Sequence, residues 1–114
     1  MEIEFCETVG GKSDAKDFLK AQPRSAQKKF FHLFEQIESR GMLAALQSEI
    51  VKKIKPEKRL YELRYGGNKL TYRYFFTPFK NCYWILCGFA KKSQKTPKRE
   101  LETARRRYKN LIHK

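Results

Sequence analysis

The run LYELRYGGNKLTYRYFFTPFKNCYWILCGF, residues 60–89, decides the fold. It holds three segments rich in aromatic and branched side chains, at residues 60–65, 69–77 and 83–89, each reading as a β-strand. Gly66, Gly67 and Asn68 separate the first two with residues that tolerate positive φ, and Pro78 to Asn81 supplies a second turn. The third segment, YWILCGF, is nearly all apolar and suits a central strand covered on both faces.

Alternation assigns side chains to faces. Glu62 and Arg64 share one side of their strand, with Tyr61, Leu63 and Tyr65 on the other. In the next strand Thr71, Arg73 and Phe75 share a side, opposed by Tyr72, Tyr74 and Phe76. Pairing Tyr65 with Leu70 across the turn sets Arg64 opposite Thr71 and Glu62 opposite Arg73. Both arginines then project from the same side of the sheet, and a one-residue slip would separate them.

Outward from this meander, IEFCETV near the N-terminus alternates as a further strand, and Gly10-Gly11 breaks it. Ser13 caps a short helix, with Asp14 and Asp17 near its positive end. Pro23 opens a longer helix whose Ala26, Phe30, Leu33, Phe34 and Ile37 recur at helical spacing, ending at Gly41. Past the meander, Thr96 caps a last helix with Pro97 at its first position. Leu101, Ala104, Tyr108, Leu111 and Ile112 form one apolar face of that helix. The expected architecture is α+β: a small twisted antiparallel sheet with an N-terminal helical hairpin and a C-terminal helix, the helices packing on one face. At 114 residues, without a linker or repeat, residues 1–114 read as a single domain.

Twenty-six Lys and Arg against twelve Asp and Glu give a formal charge of +14. Such a chain repels itself, and a polyanion is the natural partner. A membrane is disfavoured, since no apolar run approaches about 20 residues and the first residues are acidic rather than signal-like. Cys6, Cys82 and Cys87 form no CxxC pair, which fits a reduced, cytoplasmic protein without a metal site.

The stretch GFAKKSQKTPKRELETARRRYKN, residues 88–110, carries five Lys or Arg between Lys91 and Arg99. Arg64 and Arg73, beside this basic loop, admit two readings. One is a cross-strand ion pair of Arg73 with Glu62 on a solvated face. The other is a phosphate clamp, because guanidinium is planar, permanently charged and bidentate towards phosphate. Interleaved tyrosines and phenylalanines could then stack on unpaired bases. No pair of histidines suited to RNA cleavage is present, nor a Ser-His-Asp set, Walker loop, GxGxxG or HExxH. Glu62 is the best-placed carboxylate.

LYELR at residues 60–64, YRYFF at 72–76 and GFAKKSQKTPKRELETA at 88–104 together resemble the RelE/HigB superfamily of type II toxin–antitoxin toxins, in its phage-derived HigB-like branch. The resemblance covers roughly the C-terminal half. It implies a microbial-ribonuclease-like fold and a toxin that enters the ribosomal A site. There it would cleave mRNA through attack of the RNA's own 2′-hydroxyl, with no metal or organic cofactor. It also implies a cognate helix-turn-helix antitoxin, with operator DNA bound only through the toxin–antitoxin complex. Carried over by position, Arg64, Arg73, Lys91 and Lys92 are the catalytic candidates. Lys69, Lys95, Lys98, Arg99, Arg105 and Arg106 are the RNA-binding candidates, with Arg107 and Lys109 extending that basic face. Where related branches place a proton-transferring Tyr or His after the last strand, this chain has Lys, Ser, Gln and Thr. Tyr108 falls on the apolar helix face, so acid and base stay unassigned. A non-catalytic RNA- or ribosome-binding module and a ParE-like gyrase inhibitor are the alternative readings.

Overall fold

The computed structural model describes residues 1–8, 10–66, 70–91 and 97–113. Its elements run β1 (Glu2–Phe5), α1 (Asp14–Lys20), α2 (Arg24–Arg40), α3 (Met42–Gln47), β2 (Val51–Lys53), β3 (Tyr61–Gly66), β4 (Thr71–Phe79), β5 (Cys82–Lys91) and α4 (Lys98–Ile112). The five strands form one sheet in the order β1-β5-β4-β3-β2. β3 to β5 are the antiparallel meander read from the sequence, and β2 adds a further antiparallel strand beside β3. β1 joins it as a parallel edge strand, pairing Ile3 with Tyr83 and Phe5 with Ile85, so the sheet is mixed.

Local chemistry explains the element ends. Ser13 Oγ accepts a hydrogen bond from the Lys16 backbone N–H at 3.2 Å, the N-cap expected for α1. Pro23 and Pro97 sit at the cap positions of α2 and α4, one residue before the first helical turn; Thr96 lies outside the described residues. Lys80 and Asn81 turn β4 into β5 with φ of 49° and 62°. That positive pair matches the right-handed twist of the flanking strands in a two-residue hairpin.

The helices cover both faces of the sheet, not one. On the first face α1, α2 and α3 bury Leu19, Phe30, Leu33, Phe34 and Ile37 against Leu63, Tyr65, Tyr74, Phe76 and Ile85. On the second, Ala104 and Tyr108 of α4 pack on Leu60, Phe75, Leu86, Cys87 and Phe89. The two-sided burial follows from β4 and β5 being apolar at consecutive positions, which leaves neither face suited to water. Burial pushes the Cys87 thiol up to about 12, so it behaves as a small apolar group.

Three details fix the layers. Gly88 lies where a Cβ would sit 2.8 Å from a Phe18 ring carbon and 3.0 Å from a Tyr74 ring carbon, so its lack of a side chain lets α1 approach β5. Gln22, in the link between α1 and α2, donates to the Tyr74 hydroxyl at 2.6 Å and accepts from the Tyr65 hydroxyl at 3.3 Å. This satisfies three buried polar groups together. A bulge between Phe75 and Phe76 leaves Leu86 without a partner on β4. The Leu86 carbonyl instead accepts from Arg107 of α4 at 2.6 Å, while the same guanidinium holds both Asp14 carboxylate oxygens at 2.9 Å. Arg107 thus ties α4 to the bulge and to the start of α1.

Two expectations follow. Gly88→Ala should lower stability by about 1–3 kcal/mol through overpacking, read as a drop in the urea midpoint at unchanged slope; an unchanged midpoint would show that the α1–β5 contact is loose. The Arg107 hydrogen bonds hold Asp14 below its ordinary value of 3.8. A lowered folded pKa means stability that is fully present above the unfolded value and lost as pH falls through the folded one. Asp14→Asn should therefore cost stability at pH 7 and converge with the parent in strong acid, by thermal melts across pH.

Candidate nucleic-acid interface

β3 and β4 pair Tyr65 with Tyr72, Arg64 with Arg73 and Glu62 with Phe75. This register is two residues from the one expected, so Arg64 faces Arg73 rather than Thr71, and Glu62 faces Phe75 rather than Arg73. A shift of two preserves the faces, and the arginines share one side of the sheet. It is the side that α4 covers further along, at Phe75 and Phe89.

Two guanidinium groups directly opposite each other repel. Glu62, only 1 % exposed, lies between them: its carboxylate is 3.7 Å from Arg64 Nε and 3.9 Å from Arg73 Nη1. Both separations exceed hydrogen-bond length, so the triad is held by charge rather than by directed bonds. Arg73 is enclosed, with 3 % of its side chain exposed, whereas Arg64 keeps 30 % open to solvent. Lys91 ends β5 opposite Thr71, on the same side as Arg73 and one pair further along. Lys92, Lys69 and Lys95 lie outside the described residues.

Lys52, which sequence reasoning did not single out, pairs across from Glu62. It lines an open cleft of about 580 Å³ with Leu46, Glu49, Val51, Lys53 and Arg64. Among the described residues Lys52, Arg64, Arg73 and Lys91 thus share one sheet face with Glu62. A strand of three residues carries too little periodicity to be recognised unaided.

The remaining candidates divide. Lys98, Arg99 and Arg106 are exposed on α4. Arg105 donates to the Lys55 carbonyl at 2.7 Å and to Glu57 at 3.2 Å, so its charge ties α4 to the loop before β3. Arg107 is likewise committed to Asp14 and Leu86. The expected stacking aromatics do not line this face. Tyr65, Tyr74 and Phe76 belong to the core under α2, and Phe75 lies buried beneath α4. Burial holds the Tyr65 and Tyr74 phenols well above their ordinary value, in the neutral form, and on the side away from the arginines. Tyr108 is 8 % exposed within the α4 core. Among the described residues no three His, Cys, Asp or Glu converge to hold a metal ion, and no helix is long and apolar enough to cross a membrane.

Fixed guanidinium groups suit pairing with a phosphodiester and with added negative charge on it, and Arg64 is the more open of the two. Removing the central carboxylate should expose the repulsion. Glu62→Gln is expected to destabilise the fold by up to about 3–5 kcal/mol, because two opposed guanidinium groups lose the carboxylate between them. Combining Glu62→Leu with Arg73→Met should recover much of that loss in chemical denaturation. Equal damage from single and double variants would show that the triad is not coupled.

Comparison with known proteins bears on the whole of this surface except its β1 edge. No curated protein matches the chain. Residues 17–109, which include every element from the middle of α1 to the last turns of α4, match the family described as phage derived protein Gp49-like. The chain belongs to that Gp49-like family of phage-derived proteins.

Proposed function

We propose that the chain is the toxin of a type II toxin–antitoxin system of the RelE/HigB kind, acting as a ribosome-dependent mRNA endoribonuclease. The observation that carries this reading is the Arg64–Arg73 pair, directly opposed on one sheet face with Lys52 and Lys91 beside it. The Gly-Phe-x-Lys-Lys and Gln-Lys-Thr-Pro motifs and the Gp49-like family support it.

In the proposed chemistry the RNA's 2′-hydroxyl attacks the adjacent phosphorus and the bond to the 5′-oxygen breaks. This leaves a 2′,3′-cyclic phosphate and a 5′-hydroxyl end. The transition state carries an extra negative charge on phosphorus-bound oxygens. Cations already fixed by the sheet meet that charge without reorganising. Arg64, the more open of the pair, contacts the phosphate; Arg73 adds charge from an enclosed, low-dielectric position. Lys52 and Lys91 flank them as further phosphate contacts and as candidates for proton transfer to the leaving oxygen. Lys92 joins this set by resemblance. The partners that follow are mRNA in the ribosomal A site and a helix-turn-helix antitoxin. Lys98, Arg99 and Arg106 would provide less specific attraction to ribosomal RNA, and that part of the affinity should fall with salt.

A second reading has its own observation in favour. The carboxylate among these cations, Glu62, is pinned between two arginines, and the tyrosines of β3 and β4 point away. A binder that occupies the ribosome without cutting fits that shortage of acid–base groups.

Ribosomes programmed with labelled mRNA distinguish the two. Cleavage within codons, with cyclic-phosphate ends, is expected from the parent protein. Arg64→Ala and Arg73→Ala should each slow it by about 10²–10³-fold, the usual loss on removing one transition-state donor, with circular dichroism confirming the fold. Protection of the mRNA without cuts would favour the binding module.

A further inference from the structure

The excess charge is unevenly spread along the chain. Residues 1–41 contain seven Lys or Arg and seven Asp or Glu, so the whole excess of +14 falls in residues 42–114. The balanced part builds β1, α1 and α2, on the opposite face of the sheet from Arg64 and Arg73. There, between β1 and α2, lies an open groove of about 590 Å³ whose apolar lining includes Ile3, Phe31 and Phe34. Phe31 is 45 % exposed, one of only three large apolar side chains left so open among the described residues.

The rim of this groove is acidic. Glu2, Glu35 and Glu38 line it, and no lysine or arginine does. Glu38 accepts from the Tyr83 hydroxyl at 2.8 Å and pairs with the Met1 amino group at 3.0 Å. Those contacts hold its carboxyl below the ordinary value, so it stays ionised. Glu2 and Glu35 form no ion pair among the described residues.

We propose that this groove docks a segment of another protein that presents apolar side chains flanked by Lys or Arg, seated between β1 and α2. An apolar strip with an anionic rim, on a chain that elsewhere repels cations, selects that chemistry: apolar side chains enter the groove and basic ones meet Glu2 and Glu35. A solvated surface would not need Phe31 beside Ile3, and an acidic or nucleic-acid partner would be turned away by the rim. The proposal does not rest on RNA cleavage, because the cationic face is on the other side of the sheet.

The test uses the intact chain and two end-blocked seven-residue peptides, one carrying a central Val and Leu pair flanked by Lys and the other the same pair flanked by Glu. Amide chemical-shift titration should show the basic peptide binding at least about tenfold more tightly, a difference of about 1.4 kcal/mol, with shifts confined to β1 and α2. Phe31→Ser should weaken it, and Glu2→Lys with Glu35→Lys should reverse the preference. Both changes are at exposed positions, and mRNA cleavage should be unaffected. Equal binding of both peptides, shifts on the cationic face, or an unreversed preference would overturn the proposal. A homodimer in sedimentation that Phe31→Ser dissolves would overturn it too, by assigning the groove to a second copy.

Discussion

Because side chains along a strand alternate with a period of two, the register of β3 against β4 decides which residues meet α2 and which meet α4. Setting Tyr65 against Tyr72 sends Leu63, Tyr65, Tyr74 and Phe76 into the core with Phe30 and Phe34. The same choice sends Glu62, Arg64 and Arg73 to the other side, the one that α4 covers at Phe75 and Phe89. A one-residue slip of β3 would bury Arg64 beneath α2 and turn Tyr65 out. The aromatic core and the cationic face are therefore one commitment, enforced by the burial energy of the aromatics rather than by any affinity among the charges.

Magnitudes show what the charged triad contributes. Each Glu62–guanidinium contact near 4 Å gains about 4 kcal/mol at an effective dielectric of 20. Desolvation costs several kcal/mol per ion, and Arg64 and Arg73 repel each other besides. The sum lies near zero. The triad therefore adds little net stability, and the fold's own energetics do not account for two arginines at this place; the proposed function does, by assigning them to an incoming phosphate.

The sequence made the faces legible but not the pairing. Alternation in LYELR and TYRYFF placed both arginines on one side, because a face assignment survives any shift of two. Choosing Arg73 over Thr71 as the partner of Arg64 depends on the turn between β3 and β4, whose conformation Gly66 and Gly67 leave open. The covering of both sheet faces was foreshadowed by YWILCGF, which is apolar at consecutive positions. Placing all helices on one side ignored what would cover Phe75, Leu86 and Phe89. Lys52 escaped notice because β2 is only three residues long. The fates of Arg105 and Arg107 were illegible for a different reason: a charge run shows where cations are, whereas their partners Glu57, Asp14 and the Leu86 carbonyl are brought together only by the tertiary fold.

That last distinction changes how the net charge should be read. Of the basic residues in α4, Arg105 and Arg107 are committed to internal partners, so the helix presents less positive surface than its sequence suggests. The enclosed Arg73, by contrast, acts where the dielectric is low and counts for more than an exposed lysine. Attraction of a polyanion at long range follows the total of +14 and is screened beyond about 8 Å at physiological salt. Action on a bound phosphate follows the few charges fixed within hydrogen-bond reach. Residues 1–41 are electrically balanced and add nothing to the excess of +14. The sheet thus separates a face bearing Arg64, Arg73 and Lys91 from an acidic, apolar-lined groove on its other side.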